Sequence, residues 1–293
     1  MERPDPVPAQ GEVLIRVHAA AVNPTDTASR ARPRRHGNPG DPYVLGMDAA
    51  GVVEQIGPGT QTDLQVGERV MAIVVPRGAH GAYAERIAVP AESVVPVPQG
   101  AGFAAASTLP MNGLTARLAL DTLDLDAGAV VAVTGAAGAM GGYAVQLAAA
   151  DGLTVVADAA PQDEELVKDL GADLVLPRGD GFARAVREHY ADGVDAVIDA
   201  ALLGHGIAPA VKDGGTVITL RGFDEPGERG ITFQPIMVVD YAREREKLDR
   251  LRRQAEEGLL TLRVAEEFRM DQAPEAHRRL EAGGVRGRLV LTF

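Results

Sequence analysis

The sequence predicts an α/β chain in which a small β-barrel or sandwich precedes a parallel sheet wrapped by helices. Three observations carry this reading. The first third runs in short alternating segments cut by Gly and Pro. The middle third alternates apolar runs with helical patterns. A glycine turn, residues 135–141, follows one such run and opens a helix.

The elements follow in order. Glu12–Ala21 sets Val13, Ile15 and Val17 against Leu14, Arg16 and His18, the two-residue period of a strand. Gly51–Ile56, closed by Gly57-Pro58-Gly59, is a second strand, and Glu68–Val75 and Tyr83–Val89 are two more. The period then changes. Thr108–Leu123 reads as a helix, with Leu114, Leu118 and Leu123 on related faces. The strand Val130–Thr134 and the Ala-rich helix Met140–Ala150 come next. Strands Thr154–Ala157, Leu174–Leu176, Val194–Asp199 and Gly215–Leu220 alternate with helices Asp163–Leu170 and Gly181–Tyr190, and a short helix closes at Val211–Lys212. Alternation of this kind implies right-handed crossovers, and uninterrupted apolar strands are those buried on both faces. A charged helix, Asp240–Glu257, a second helix, Ala273–Ala282, and a strand, Gly287–Phe293, end the chain; that last strand has no following helix and is expected to rejoin the first domain.

Composition bounds the chemistry. A net charge of -12, from 41 acidic and 29 basic residues, argues against a nucleic-acid or anionic membrane surface as partner. The chain has no cysteine, which removes disulfides, thiolate catalysis and Cys-based zinc sites. No run reaches the length of a membrane span and no signal core is visible, so the cytoplasm is the expected compartment. The basic patch Arg30, Arg32, Arg34 and Arg35 reads as a solvated loop or the rim of a cleft. The six histidines show no paired metal-ligand spacing, and no Gly-x-Ser-x-Gly elbow is present.

The stretch Val133-Thr134-Gly135-Ala136-Ala137-Gly138-Ala139-Met140-Gly141 is the strongest motif. Between a buried strand and a helix, such a turn lets the backbone approach a pyrophosphate, whose charge rests on helix N–H groups. Asp158 lies 20 residues beyond Gly138, where a carboxylate would accept the ribose hydroxyls of NAD. The alternatives are an ordinary tight turn and a solvated strand end.

Several stretches in order give a family resemblance. They are Gly11-Glu12-Val13-Leu14-Ile15-Arg16-Val17, Ala21-Val22-Asn23-Pro24-Thr25-Asp26, Gly46-Met47-Asp48-Ala49-Ala50-Gly51 and Leu109-Pro110-Met111-Asn112-Gly113. The Gly138/Gly141 turn, Leu170-Gly171-Ala172-Asp173 and the tail from Ala276-His277-Arg278 through Gly287-Arg288-Leu289-Val290 complete them. On these the chain resembles zinc-free medium-chain dehydrogenase/reductases of the quinone oxidoreductase branch. The resemblance implies a Rossmann fold, a doubly wound parallel sheet, inserted into a GroES-like β-barrel domain. The implied boundaries are 1–106 for the GroES-like domain, 107–235 for the Rossmann domain and 236–293 for the returning tail. It also implies a dinucleotide in the cleft between the domains.

Residue by residue, the resemblance places Asn23 and Asp26 at the substrate, and Asn112 and Thr115 near the nicotinamide; Asn23, Asp26 and Thr115 are the expected catalytic set. It places Gly138, Ala139, Met140 and Gly141 on the pyrophosphate, Leu220, Arg221 and Gly222 near the carboxamide, and Arg288 against the cofactor. No metal is expected: Gly46-Met47-Asp48 stands where zinc-dependent relatives have Gly-His-Glu. This sequence departs from the pattern in four places. Ala28 replaces a Tyr, Asp163 replaces a phosphate-binding Lys, Arg178 replaces a Tyr near that phosphate, and the chain starts about twenty residues late relative to the family. Asp158, Asp163, Glu164 and Glu165 oppose a 2′-phosphate, whereas Arg178 and Arg184 favour one. The balance gives NADPH, with NADH as the alternative. The expected activity is hydride transfer to a small-molecule electrophile, a quinone or an α,β-unsaturated carbonyl. The alternatives are a 2-enoyl thioester reductase and a non-catalytic nucleotide-binding scaffold. A homodimer is expected through the apolar segment Ile231–Val239.

Overall fold

The computed structural model describes residues 4–31 and 43–293; Arg32, Arg34 and Arg35 of the basic patch lie outside the described residues. The chain divides into two compact units, Met1–Leu114 with Val239–Phe293, and Thr115–Val238. The division falls inside one helix, later in the chain than the expected boundary after residue 106.

The first unit begins with β1 (Glu12–Val22), α1 (Pro24–Ala31), β2 (Asp48–Ile56), β3 (Arg69–Ile73), β4 (Arg86–Pro90) and β5 (Val94–Pro96). The one-turn helix α2 (Phe103–Ala106) and the first part of α3 (Pro110–Leu123) follow. After the second unit the chain returns with α7 (Arg245–Glu256), β12 (Val264–Arg269), α8 (Ala273–Glu281) and β13 (Arg288–Thr292). The strands form one sheet in the order β12-β13-β1-β2-β3-β5, with β4 also on β1. β1 pairs antiparallel with β2, β4 and β13, which is why it is buried on both faces along most of its length. Its register with β2 shifts twice, and at Gly51 the two backbones come so close that a Cβ would lie 2.0 Å from the Arg16 carbonyl oxygen. Only glycine fits there. Val13, Ile15, Val53, Val70 and Val94 fill the core beneath. The terminal strand rejoins this unit: Ala19 faces Thr292 and Val22 faces Leu289, and Leu289, Leu291, Val22 and Ala276 make a second small core.

The second unit contains β6 (Val130–Thr134), α4 (Ala139–Ala150), β7 (Thr154–Ala159), α5 (Glu164–Asp169), β8 (Leu174–Pro177), α6 (Phe182–His189), β9 (Val194–Asp199), β10 (Val211–Thr219) and β11 (Thr232–Pro235). These six strands are parallel, in the order β11-β10-β9-β6-β7-β8. The order reverses next to β6, the arrangement whose switch point offers a crevice at the strands' carboxyl ends. Apolar runs such as Val131-Ala132-Val133 are fully buried because helices cover the sheet. Phe182, Val186, Ile207 and Phe233 pack on one face.

Two expectations are corrected. The helix thought to close at Val211–Lys212 is a 3-10 helix, Gly204–Ala210; Pro209 lies inside it, and Val211 already begins β10. The single helix Asp240–Glu257 is a 3-10 turn, Val238–Tyr241, followed by α7 from Arg245. Short strands with weak alternation, β5, β11 and β12, and helix α1 lie outside the periodic pattern.

Candidate functional site

In the second unit, the carboxyl ends of the strands carry the glycine turn. Gly138 caps α4 with extended backbone and donates its N–H to the Gly135 carbonyl (2.9 Å). Gly135 turns with φ of 66°, and a Cβ on Gly141 would lie 2.3 Å from the Gly135 oxygen. The turn therefore closes directly onto the first helical residues, Ala139, Met140 and Gly141. The first N–H groups of a 12-residue helix lack intrahelical acceptors and carry its positive end. This is an anion cradle built of backbone.

Buried carboxylates hold the turn from behind. Asp158, at the end of β7 and 4% exposed, accepts the Ala136 N–H on Oδ1 (3.1 Å). Burial raises its pKa, opposed by the Ala136 N–H and then by the charge of Arg178. Asp158 thus faces the turn and braces it. Thr134 donates to Asp199 Oδ1 (2.7 Å), and Gly204 N–H donates to Asp199 Oδ2 (2.9 Å), tying the end of β6 to the segment after β9. Arg178 is exposed just beyond β8, its N–H bonded to the Ala159 carbonyl (2.9 Å). Asp163 is buried at the start of α5. Leu220, Arg221 and Gly222 line a cavity of about 430 Å³ after β10, with Asp199 and Thr219 on its wall. Arg221 turns there with φ of 60°, a conformation a non-glycine residue adopts rarely. Thr115 is buried in the part of α3 that belongs to this unit.

In the first unit, the expected residues Asn23, Asp26, Asn112 and Arg288 meet in one buried network, with three residues the motif reading left out of the site: Asp48, Tyr83 and His277. Asn23 precedes α1 and Asp26 lies in its first turn. Asp26 Oδ2 accepts the Asn23 N–H (2.8 Å), the reciprocal bond of a capping box, and Oδ1 accepts the Gly46 N–H (3.0 Å). Tyr83 also donates to Asp26 Oδ2 (3.2 Å), and its hydroxyl lies 3.2 Å from His277 Nε2. On the other side, Asn23 Nδ2 donates to Asp48 Oδ2 (2.7 Å) and Met111 N–H donates to Asp48 Oδ1 (2.6 Å). Asn112 Nδ2 donates to Asn23 Oδ1 (3.3 Å), and Arg288 Nη2 donates to Asn112 Oδ1. Burial pushes Asp48 up to about 7 and Asp26 up to about 6, in each case against hydrogen bonds that favour the anion. Burial also raises the Tyr83 hydroxyl well above its ordinary range, with Asp26 adding to the shift.

This chemistry does not fit a zinc ion. Both Asp48 oxygens are committed to Met111 and Asn23. Among the described residues no group of three or more His, Asp or Glu could hold a metal, and the chain has no Cys. The glycine turn, by contrast, fits a dinucleotide pyrophosphate. Among the described residues, no helix is long and apolar enough to cross a membrane.

Comparison with known proteins gives consistent results. Residues 9–99 match the Alcohol dehydrogenase GroES-like domain, and residues 170–291 match the Zinc-binding dehydrogenase family. The chain is 35% identical over 224 residues to trans-enoyl reductase tndF of Aspergillus flavipes, a match spanning 68% of this chain and 64% of that protein, so less than two thirds of its length. It is 30% identical over 291 residues to 2-methylene-furan-3-one reductase of Solanum lycopersicum, spanning 96% of this chain and 72% of that protein. The native structure of mycobacterial Rv1454c complexed with NADPH superimposes with a TM-score of 0.85 at 28% identity, covering 100% of this chain and 94% of the other.

Proposed function

This chain belongs to the medium-chain dehydrogenase/reductase family, and from that premise we propose that it is an NADPH-dependent oxidoreductase passing hydride to a quinone or an α,β-unsaturated carbonyl without a metal. The observation that carries the reading is the turn in which Gly141 seats against the Gly135 oxygen at the start of α4. The two similar reductases and the NADPH-bound neighbour support the cofactor and the substrate class.

NADPH supplies the hydride when bound. The chain's own residues do the rest. Backbone N–H groups of Ala139, Met140 and Gly141 hold the pyrophosphate. Arg178 holds the 2′-phosphate, and Leu220–Gly222 frame the carboxamide. Asn23 and Asn112 spend their amides on each other and on Asp48 and Arg288, so hydrogen bonds within the first unit hold both side chains in place. The Thr115 hydroxyl is the donor assigned to the substrate carbonyl.

Separate titrations of NADPH and NADH, read by nicotinamide emission in a chain with no Trp, test the cofactor. Tight NADPH with weak NADH supports the reading. A preference for NADH overturns the Arg178 assignment, binding of neither overturns the cofactor reading, and binding without turnover across a broad electrophile panel favours the nucleotide-binding scaffold. The similarity to a trans-enoyl reductase keeps a 2-enoyl thioester as the second substrate class, separated by comparing quinones, enones and enoyl thioesters. We assign a homodimer through β11, an edge strand followed by exposed Met237 and Val239; a monomeric mass at micromolar concentration would contradict it.

A further inference from the structure

Thr134 and Asp199 are register partners at the carboxyl ends of the parallel neighbours β6 and β9, and both are buried. Thr134 O–H donates to Asp199 Oδ1 (2.7 Å), and the same hydroxyl oxygen accepts the Ala201 N–H (3.0 Å). Asp199 Oδ2 accepts the Gly204 N–H (2.9 Å). Two side chains thus clamp both ends of the strap 200–204. The strap is also wedged. A Cβ on Gly135, the first residue of the glycine turn, would lie 3.2 Å from the Ala200 carbonyl carbon and from the Ala201 nitrogen. A Cβ on Gly204 would lie 2.9 Å from the Phe223 ring, and the Phe223 carbonyl accepts from Thr219 Oγ1 (2.5 Å). In the middle of the strap stands Leu202, with φ of 62° and an apolar side chain 43% exposed. A non-glycine residue in that conformation is strained and persists only where its surroundings over-determine it. Its exposed side chain buries little apolar surface to offset the strain. Leu202, Asp199, Gly204 and Phe223 all line the cavity of about 430 Å³ after β10.

We propose that Asp199, acting with Thr134, is the positioning residue of a cavity wall on which the nicotinamide half of the dinucleotide rests, Leu202 being the side chain that meets it. This rests on the NADPH reading above. All of the residues lie within the second unit. A pyrophosphate on the glycine turn leaves one half of the dinucleotide to each side of the point where the strand order reverses. Asp158, at the end of β7, and Arg178, just beyond β8, stand on one side, where the second strand of such a sheet meets the adenosine. The cavity stands on the other side, at β9 and β10. The clamp fastens the strap to Thr134, the residue immediately before the turn, so the pyrophosphate cradle and the cavity wall keep one fixed spacing.

The two halves of the cofactor give a test that a generic packing role cannot pass. T134V keeps the shape of the side chain and removes its hydroxyl, so the Ala201 N–H loses its acceptor and Asp199 Oδ1 loses its donor. T134S keeps both bonds. D199N presents an acceptor on one side only, where Thr134 and Gly204 each need one. L202A leaves the clamp intact and removes the side chain it holds out. The ligand 2′,5′-ADP carries the adenosine end and its phosphates without the nicotinamide half.

The experiment measures NADPH affinity by nicotinamide emission, 2′,5′-ADP affinity by calorimetry and the melting midpoint by circular dichroism for wild type and the four variants. T134V and D199N are expected to weaken NADPH about tenfold and 2′,5′-ADP by less than about twofold. T134S is expected to match wild type within about twofold for both ligands, and L202A to weaken NADPH about fivefold with 2′,5′-ADP unchanged. Equal losses for the two ligands in T134V and D199N overturn the proposal, because the clamp then serves the turn or the fold alone. A lowered midpoint with both affinities unchanged overturns it too. If neither clamp variant folds, L202A decides: a selective loss of NADPH supports the wall, and unchanged NADPH overturns it. A wild type that binds neither ligand refutes the NADPH reading and this proposal with it. A wild type that binds NADPH tightly, with no selective loss in any variant, overturns this proposal alone.

Discussion

Arg30 Nη1 stands 3.3 Å from His277 Nδ1, and this contact fixes the tautomer of a buried histidine. A guanidinium only donates, so Nδ1 accepts and Nε2 carries the proton. Nε2–H then donates to the Tyr83 oxygen (3.2 Å), and Tyr83 O–H donates to Asp26 (3.2 Å). Burial, and then Arg30, hold the imidazole below its ordinary pKa. Arg30 is itself paired with Glu281 on α8. A surface ion pair therefore sets the direction of a hydrogen-bond chain that ends on a carboxylate in the first turn of α1.

Removing the middle of that chain isolates both ends. Y83F leaves the His277 Nε2–H without its acceptor and Asp26 without one donor. Asp26 keeps the Asn23 and Gly46 donors, so the His277 Nε2–H is the one buried group left unsatisfied; that costs about 1–3 kcal/mol, and chemical denaturation should show a loss in that range. Nitrogen NMR of the wild-type His277 ring should show the Nε2–H tautomer; the Nδ1–H tautomer would refute the direction of the chain.

Asp48 and Asp26 give stability a definite dependence on pH. Their folded values, about 7 and about 6, lie above the ordinary 3.8. The folded state therefore holds more protons than the unfolded state between those limits, and these two groups' contribution is complete below about pH 4 and lost as pH rises through about 6 to 7. His277 acts with the opposite sign: its contribution is present above 6.5 and is lost as pH falls. A comparison that cancels the histidine isolates the carboxylate. D48N/N112D moves one carboxylate next to Arg288, which favours the anion. Its melting midpoint should gain on the wild type steadily from about pH 4 to about pH 7; a constant difference would contradict this.

Arg178 is the basic side chain assigned to the 2′-phosphate. Charge-assisted bonds of about 1.5–3 kcal/mol imply that R178A weakens NADPH about 10- to 100-fold and leaves NADH nearly unchanged. Equal losses for both cofactors would place Arg178 outside the adenosine end.

The glycine turn has no room for a side chain at Gly141. In G141A the new Cβ would meet the Gly135 oxygen at 2.3 Å, so turn and helix must separate. The melting midpoint should fall and affinity for both NADPH and NADH should drop together. A variant that binds both cofactors normally would show that the pyrophosphate does not use this turn.

The sequence was most legible where one period ran uninterrupted. Val130–Thr134 and Val194–Asp199 match their predicted bounds because strands buried on both faces leave unbroken apolar runs. β11 and β12 escaped because short edge strands carry mixed sequences, Thr-Phe-Gln-Pro and Val-Ala-Glu-Glu-Phe-Arg, in which burial imposes little alternation. In the site, family motifs placed Asn23, Asp26, Asn112 and Arg288, which the fold joins in one network. Asp48 was visible only as the residue replacing part of a metal motif. His277 and Tyr83 lie 194 positions apart, and no local pattern marks a contact that the return of α8 to the first unit creates. The role of Asp158 was hidden for a related reason: spacing gives its distance along the chain from the turn, and only the fold shows its carboxylate aimed into it.

Hydride delivery from NADPH to a conjugated carbonyl without a metal is the activity proposed for this chain. The most direct test follows NADPH deuterated at its transferable position with an α,β-unsaturated ketone, in the presence of a strong chelator. NADPH consumption is expected to be unaffected by chelation, with deuterium at the β-carbon of the saturated product. NADPH that binds but is not consumed by any enone, quinone or enoyl thioester, or turnover abolished by the chelator, would contradict it.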